Sequence, residues 1–202
     1  MSTLKDKVVL ITGAGKGTGR ALAEAFAEHG AIIAANDISP INVEDVVDGI
    51  IARGGKAKAY VEDIAKKVGA QALVNSVEDD FGAIDILVNH AAVEPHGSLL
   101  KMDEWDWHRT LDVNLTGAFL MTQSVGRVMK EKGGGVILNL VAGAGESADA
   151  KREAGAYFAS KAGLAELSIQ ADRELSPLGV RVFAVENSAN VMNQITLLLE
   201  AK

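Results

Sequence analysis

Thr12-Gly13-Ala14-Gly15-Lys16-Gly17-Thr18-Gly19 follows directly on the apolar run Val8-Val9-Leu10-Ile11 and leads into Ala21-Leu22-Ala23-Glu24-Ala25-Phe26. The order reads as strand, glycine turn, helix. Glycines at 13, 17 and 19 let the backbone turn tightly and lie close to a bound pyrophosphate, while the first helical turn aims unpaired N–H groups at that anion. The stretch predicts a dinucleotide site, with Gly13, Lys16, Gly17, Thr18 and Gly19 as its contacts. A glycine-rich turn without a ligand is the plain alternative, and the sequence around it decides between the two.

The next apolar run, Ala31-Ile32-Ile33-Ala34-Ala35-Asn36, closes on Asp37, eighteen residues after Gly19. A carboxylate at that strand tip accepts hydrogen bonds from both adenosine ribose hydroxyls and repels a 2′-phosphate, so Asp37 argues for NAD, with NADP the weaker expectation. Lys16 argues mildly the other way, either pairing with a phosphate or standing as a solvated surface lysine.

Further along, short apolar runs alternate with amphipathic segments of helical period, the rhythm of βαβ units. Strands are predicted at Val8 to Thr12, Ala31 to Asn36, Ala57 to Val61, Ile84 to Asn89, Val136 to Leu140 and Val180 to Val185. Each is read as nearly continuous in apolar residues, as strands of a parallel sheet covered on both faces should be. The clearest helix carries Val43, Val46, Val47, Ile50 and Ile51 on one stripe and stops at Gly54-Gly55. The fold class is α/β: a single Rossmann-type domain over residues 1–202, doubly wound, with helices on both faces of a six-stranded parallel sheet. Ligands then bind beyond the carboxyl ends of the strands.

Composition fits one globular domain: 202 residues, 48% hydrophobic and 23% charged. A net charge of −7 without a basic cluster argues against binding to nucleic acid or an anionic membrane. The chain has no cysteine, which excludes disulfides and thiolate chemistry. No apolar run approaches the length of a membrane span or a secretory leader, so a soluble cytoplasmic protein is expected, with no metal site.

After the third strand come Asp63 and Ile64. A carboxylate there serves the adenine amino group or caps the helix that follows. After the fourth come Asn89-His90-Ala91-Ala92. The small Ala91 and Ala92 leave room for a cofactor, and a buried Asn89 would tie the sheet to a neighbouring strand through its amide. His90 lacks an identifiable carboxylate partner, and His29, His96 and His108 have still less to recommend them as bases. After the fifth strand stands Tyr157-Phe158-Ala159-Ser160-Lys161, with tyrosine and lysine on one face of a helix. Lowering a phenol by about three pKa units takes roughly 4 kcal/mol of preference for the phenolate, which a neighbouring ammonium and a cationic nicotinamide can supply. Such a phenol exchanges a proton with a carbinol oxygen as hydride moves to or from the nicotinamide, while the lysine also holds the nicotinamide ribose.

From residue 5 to about 185 the chain resembles the short-chain dehydrogenase/reductase family. The resemblance rests on Thr12-Gly13 through Gly19, the Asn89 tip, Asn114 within Asp112-Val113-Asn114-Leu115-Thr116-Gly117, and Tyr157 with Lys161. It implies a nicotinamide cofactor and an alcohol or carbonyl substrate. It further implies Tyr157 as the acid/base, Lys161 on the nicotinamide ribose, Asn114 holding a water that relays protons to Lys161, and a homodimer through the helices from Val113 to Lys130 and from Tyr157 to Leu175.

Three features depart from that family. Val141-Ala142 stand where paired serines are usual, so the hydroxyl that orients the substrate oxygen is missing, with Ser147 as a loop residue that could replace it. Glu186-Asn187-Ser188 replaces a Pro-Gly turn, although Asn and Ser can still reverse the chain. The chain stops at Lys202, so a substrate-covering segment and a seventh strand are expected to be absent. The sixth strand and Leu197-Leu198-Leu199 would then be open to a partner. Two readings follow: an NAD-dependent alcohol or carbonyl oxidoreductase of low activity, or a largely non-catalytic cofactor-binding or assembly subunit of the same fold.

Overall fold

A computed structural model of the chain describes residues 4–142, 153–188 and 190–200. Its elements run β1 (Val8–Thr12), α1 (Gly17–Glu28), β2 (Ile32–Asp37), α2 (Pro40–Ala52), β3 (Lys56–Val61), α3 (Lys67–Phe81), β4 (Ile86–Asn89) and α4 (Glu104–Leu111). A single π turn, Asp112–Gly117, joins α4 to α5 (Ala118–Lys132), followed by β5 (Gly135–Val141), α6 (Gly155–Leu175), β6 (Val180–Glu186) and α7 (Val191–Glu200). All six strands are parallel, in the order β3-β2-β1-β4-β5-β6. The order reverses between β1 and β4, and the crevice over their carboxyl ends is where such sheets bind ligands.

The continuous apolar runs have a direct cause. Along β1, Val9 and Ile11 face one core with Phe26 of α1 and Val46 of α2, whereas Val8 and Leu10 face the other with Leu73 of α3 and Met121 of α5. With both faces covered, every second residue has nowhere polar to point. Complete burial of Leu10 or Phe26 stabilises the fold by about 1.5–3 kcal/mol each.

The structure corrects several expectations. Strand β2 starts at Ile32 and includes Asp37, β4 starts only at Ile86, and β3, β5 and β6 are a residue or two longer than predicted. Strand β3 is not continuously apolar: it is an edge, and Lys56 and Lys58 face solvent. Lys58 and the Tyr60 hydroxyl both bind Asp80, at 2.6 and 2.7 Å, so charge occupies the margin of the open edge. On α2, Val43, Val46, Val47 and Ile50 are buried as expected, but Ile51 is not.

The other margin is less open than the sequence implies. The N–H of Val182, on β6, donates to the Asp172 carboxylate at 2.8 Å, which occupies one pairing position of that edge. Leu198 and Leu199 of α7 pack against the core around Val191 and Ile195, so of the three leucines only Leu197 is strongly exposed. The Asn-Ser turn does form, with Asn187 donating to the Val141 carbonyl, and the Ser188 hydroxyl accepts from Gln194 at the start of α7.

Candidate active site

Strand register brings Thr12, Asn36 and Asn89 side by side at the carboxyl ends of β1, β2 and β4. The Thr12 hydroxyl oxygen accepts the N–H groups of His90 and Ala91, each at 3.2 Å, and clasps the β4 tip to the glycine turn. The turn itself is tightly packed. Gly13 has φ +67°, and a Cβ there would lie 2.7 Å from the Ala91 Cα. A Cβ on Gly19 would lie 2.2 Å from the Gly13 carbonyl oxygen and 2.6 Å from His90 Nδ1.

His90 turns out to be a strut for this turn. Its Nδ1 lies 3.1 Å from the Gly13 carbonyl, so the neutral ring carries its proton there and donates it. Burial, and then the charge of Lys161, hold its pKa below the ordinary value. The sequence signal for this role was indirect, since only the contact with the turn reveals it.

Asp37 closes the unit. One carboxylate oxygen accepts the Gly15 N–H and the other the Ser39 N–H, both at 3.0 Å. It lines a cleft of about 260 Å³ together with Gly13, Lys16, Asp63, Ile64, His90 and Ala91, bringing together most of the residues expected to meet the adenosine half of a cofactor. Asp63 caps a turn through Ala65 N–H at 3.1 Å, ahead of the helix proper, which begins at Lys67. Gly17 and Lys16 are exposed, and Thr18 is half-buried.

Asn89 lies beneath the cleft rather than among its lining residues. Its amide donates to Asn139 at 2.8 Å and Thr122 at 3.2 Å, and Asn139 donates in turn to Ser168 at 2.9 Å. This buried ladder ties β4 to β5, α5 and α6, as the amide reading expected. Sequence reasoning missed Asn139, Thr122 and Ser168 as its members, because nothing local marks a polar residue inside an apolar run as a rung.

The catalytic candidates meet where α6 crosses β5. Lys161 is buried and donates to the Leu140 carbonyl at 2.7 Å, and its Nζ lies 5.8 Å from the centroid of the Tyr157 ring. Asn114 sits in the π turn. Its amide nitrogen donates to the Val93 carbonyl and to Ser160 Oγ, both at 3.0 Å, and its oxygen accepts the Val93 N–H at 2.8 Å. Ser160 then donates to the Tyr157 carbonyl at 2.6 Å. Ser160, overlooked within the Tyr157–Lys161 pattern, thus joins Asn114 to α6. Val141 is buried at the end of β5 with Ala142 beside it, and Ser147 lies outside the described residues. Among the described residues no His, Asp and Glu cluster could hold a metal ion, and no helix is long and apolar enough to cross a membrane.

A parallel sheet with its glycine cradle at the switch point, and a tyrosine and buried lysine on the neighbouring helix, define an oxidoreductase of Rossmann type. The family model of the short chain dehydrogenases matches residues 7–190. The chain belongs to the short-chain dehydrogenase/reductase family. An uncharacterized oxidoreductase of Thermotoga maritima is 40% identical over 181 residues, covering 90% of this chain and 70% of that protein. The crystal structure of NAD+-bound xylitol dehydrogenase superposes with a TM-score of 0.86 at 31% identity, over 91% of this chain and 70% of the other. A metagenomic short-chain oxidoreductase in complex with NADP gives a TM-score of 0.91 at 29% identity, over 100% of this chain and 93% of the other.

Proposed function

We propose that the protein is an NAD(H)-dependent oxidoreductase that transfers a hydride between nicotinamide and an alcohol or carbonyl substrate. The observation that carries this reading is the Lys161 ammonium anchored on the Leu140 carbonyl and held beside the Tyr157 ring.

The residues present fit a dinucleotide. A Cβ at Gly13 or Gly19 would strike backbone, whereas at Gly17 it would meet nothing within 4 Å, so the turn is packed on its inner side and open on its outer one. On this reading Gly13, Lys16, Gly17, Thr18 and Gly19 hold the pyrophosphate, Asp37 the adenosine ribose, Asp63 and Ile64 the adenine, and Tyr157 with Lys161 the nicotinamide ribose. Asn89 and Ala91 shape the floor between. The nicotinamide, when bound, supplies the hydride acceptor or donor.

Tyr157 gives a proton to the carbonyl oxygen during reduction and takes one from the hydroxyl during oxidation. Lys161 favours the phenolate by its charge. Both amide protons of Asn114 are spent on Val93 and Ser160, so a relay water toward Lys161 is held by its remaining oxygen lone pair or by a π-turn carbonyl. Solved relatives include both an NAD+ and an NADP complex, and Asp37 supports NAD here. With Val141 and Ala142 in place of serine, turnover is slow. The retained Tyr157, Lys161 and Asn114 favour an enzyme over a non-catalytic subunit.

A homodimer through α5 and α6 completes this reading. Phe119, Gly126, Leu167, Ala171, Leu175 and Leu178 line a groove of about 450 Å³ between those helices. Sedimentation at micromolar concentration showing only monomer would count against it.

The deciding experiment is a titration with NADH and, separately, NADPH, followed by quenching of Trp105 and Trp107 on α4. Saturable binding with NADH the tighter supports the reading, and binding of neither overturns it.

A further inference from the structure

The cleft contains a cation that the family motifs do not use. Arg109 lies four residues before Val113, so the two leave the chain on the same side, and both line the cleft with Asp63 and Ile64. Arg109 Nη1 is 3.7 Å from Asp63 Oδ2, and both side chains are about three-quarters buried. The other carboxylate oxygen, Oδ1, is held at 3.1 Å by the Ala65 N–H. Asp63 is therefore held by a hydrogen bond from its own turn after β3 and drawn by the charge of a guanidinium delivered from α4, forty-six residues later. Lys66 also approaches Oδ2, at 3.8 Å, but is 77% exposed and adds little in water.

We propose that Arg109 is a positioning residue for recognition of the cofactor's purine base. It keeps Asp63 Oδ2 on the cleft side, where a carboxylate accepts a proton from the exocyclic amino group of adenine and repels the oxo group of hypoxanthine. This rests on the reading of the cleft as the adenosine site. Without Arg109, Asp63 keeps only its turn contact, and Oδ2 is left to the solvated Lys66. The base then loses its acceptor while ribose and pyrophosphate keep theirs. The contact is a single ion pair at 3.7 Å, which attracts Oδ2 by charge, so a lysine, another cation, should substitute in part.

The test compares dissociation constants of NADH, reduced nicotinamide hypoxanthine dinucleotide and reduced nicotinamide mononucleotide for the wild type, Arg109→Ala, Arg109→Lys and Asp63→Asn, each checked for folding by thermal melt. The wild type should prefer NADH to the hypoxanthine analogue. Arg109→Ala should weaken NADH about tenfold and the hypoxanthine analogue about twofold or less, leaving the mononucleotide unchanged. Asp63→Asn should lose the same discrimination, and Arg109→Lys should recover part of it. An Arg109→Ala protein that keeps or enlarges the wild-type preference overturns the proposal. A wild type that binds NADH no better than the mononucleotide overturns the adenosine reading itself.

Discussion

The ammonium of Lys161 lies 5.8 Å from the centroid of the Tyr157 ring and is held there by a 2.7 Å hydrogen bond to the Leu140 carbonyl. A backbone carbonyl is a strong acceptor that cannot titrate, so it fixes the cation without neutralising it. Replacing Tyr157 by Phe removes the exchangeable proton and leaves this arrangement intact. Turnover should fall by about a hundredfold or more while the NADH dissociation constant changes by about threefold or less. Steady-state rates on a reactive ketone, set beside a fluorescence titration, measure both. Equal trace activity in the two proteins would show that Tyr157 does not act on the substrate.

Asp37 has two tasks, since its carboxylate both caps the Gly15 N–H and presents charge to the cleft. Asp37→Asn removes the charge: the amide oxygen still accepts from Gly15, at the loss of the acceptor for the Ser39 N–H, and the repulsion of a 2′-phosphate is gone. NADPH should bind about tenfold more tightly to this variant and NADH a few-fold more weakly, a change of roughly 1.4 kcal/mol in the favoured direction for NADPH. Unaltered selectivity in paired titrations would remove Asp37 as the determinant.

The pair Gly17 and Gly19 tests the cradle. A methyl on Gly19 would overlap the Gly13 carbonyl and His90, and backbone cannot step aside, so Gly19→Ala should lower the melting temperature by about 5 °C or more. Gly17→Ala meets no atom but must hold φ +55°, so it should lower stability by only about 1 kcal/mol. Thermal melts of both variants give the ordering, and a Gly19→Ala protein as stable as wild type would contradict the packing described.

The parallel, doubly wound sheet and the burial of both its faces were legible because two-sided covering leaves its mark along the apolar run Val8 to Ile11, whereas the strand order came from the structure. The glycine turn, Asp37, Tyr157 and Lys161 were legible because each sits in a local pattern whose spacing carries geometry. Asn139, Ser160 and Arg109 were not, since each acquires its role from a partner at least twenty-nine residues away: Ser168, Asn114 and Asp63. The edge character of β3 was readable in Lys56 and Lys58 but was outweighed by Ala57, Ala59 and Val61. The burial of Leu198 and Leu199 depends on where α7 folds back, which hydropathy alone does not specify.

His90 predicts a pH dependence. Burial and Lys161 depress its folded-state pKa below the unfolded value near 6.5, so the unfolded chain takes up the proton first. Its contribution to stability is complete above that value and is lost as pH falls from there through the depressed folded pKa. His90→Asn keeps a donor for the Gly13 carbonyl and cannot charge. Below pH 6.5 the melting temperature of wild type should therefore drop faster than that of the variant, by about 2 °C or more at pH 5. Parallel melting curves across the range would mean that His90 titrates alike in both states.

The end of β5 offers the most direct gain-of-function test. Val141 is buried and its carbonyl is taken by Asn187, so a hydroxyl there would enter the core. Ala142 follows as the first residue past the strand and is only half-buried, which leaves space for one added oxygen. Ala142→Ser should restore a donor to the substrate oxygen in the transition state. A preorganised donor of this kind is worth about 3 kcal/mol, and for a hydroxyl added without other changes to the site a gain of about tenfold in kcat is expected. Because the new hydroxyl acts on substrate rather than cofactor, the NADH dissociation constant should stay within about twofold of wild type. A slower Ala142→Ser enzyme with normal NADH binding would show that the substrate oxygen is oriented elsewhere in this site.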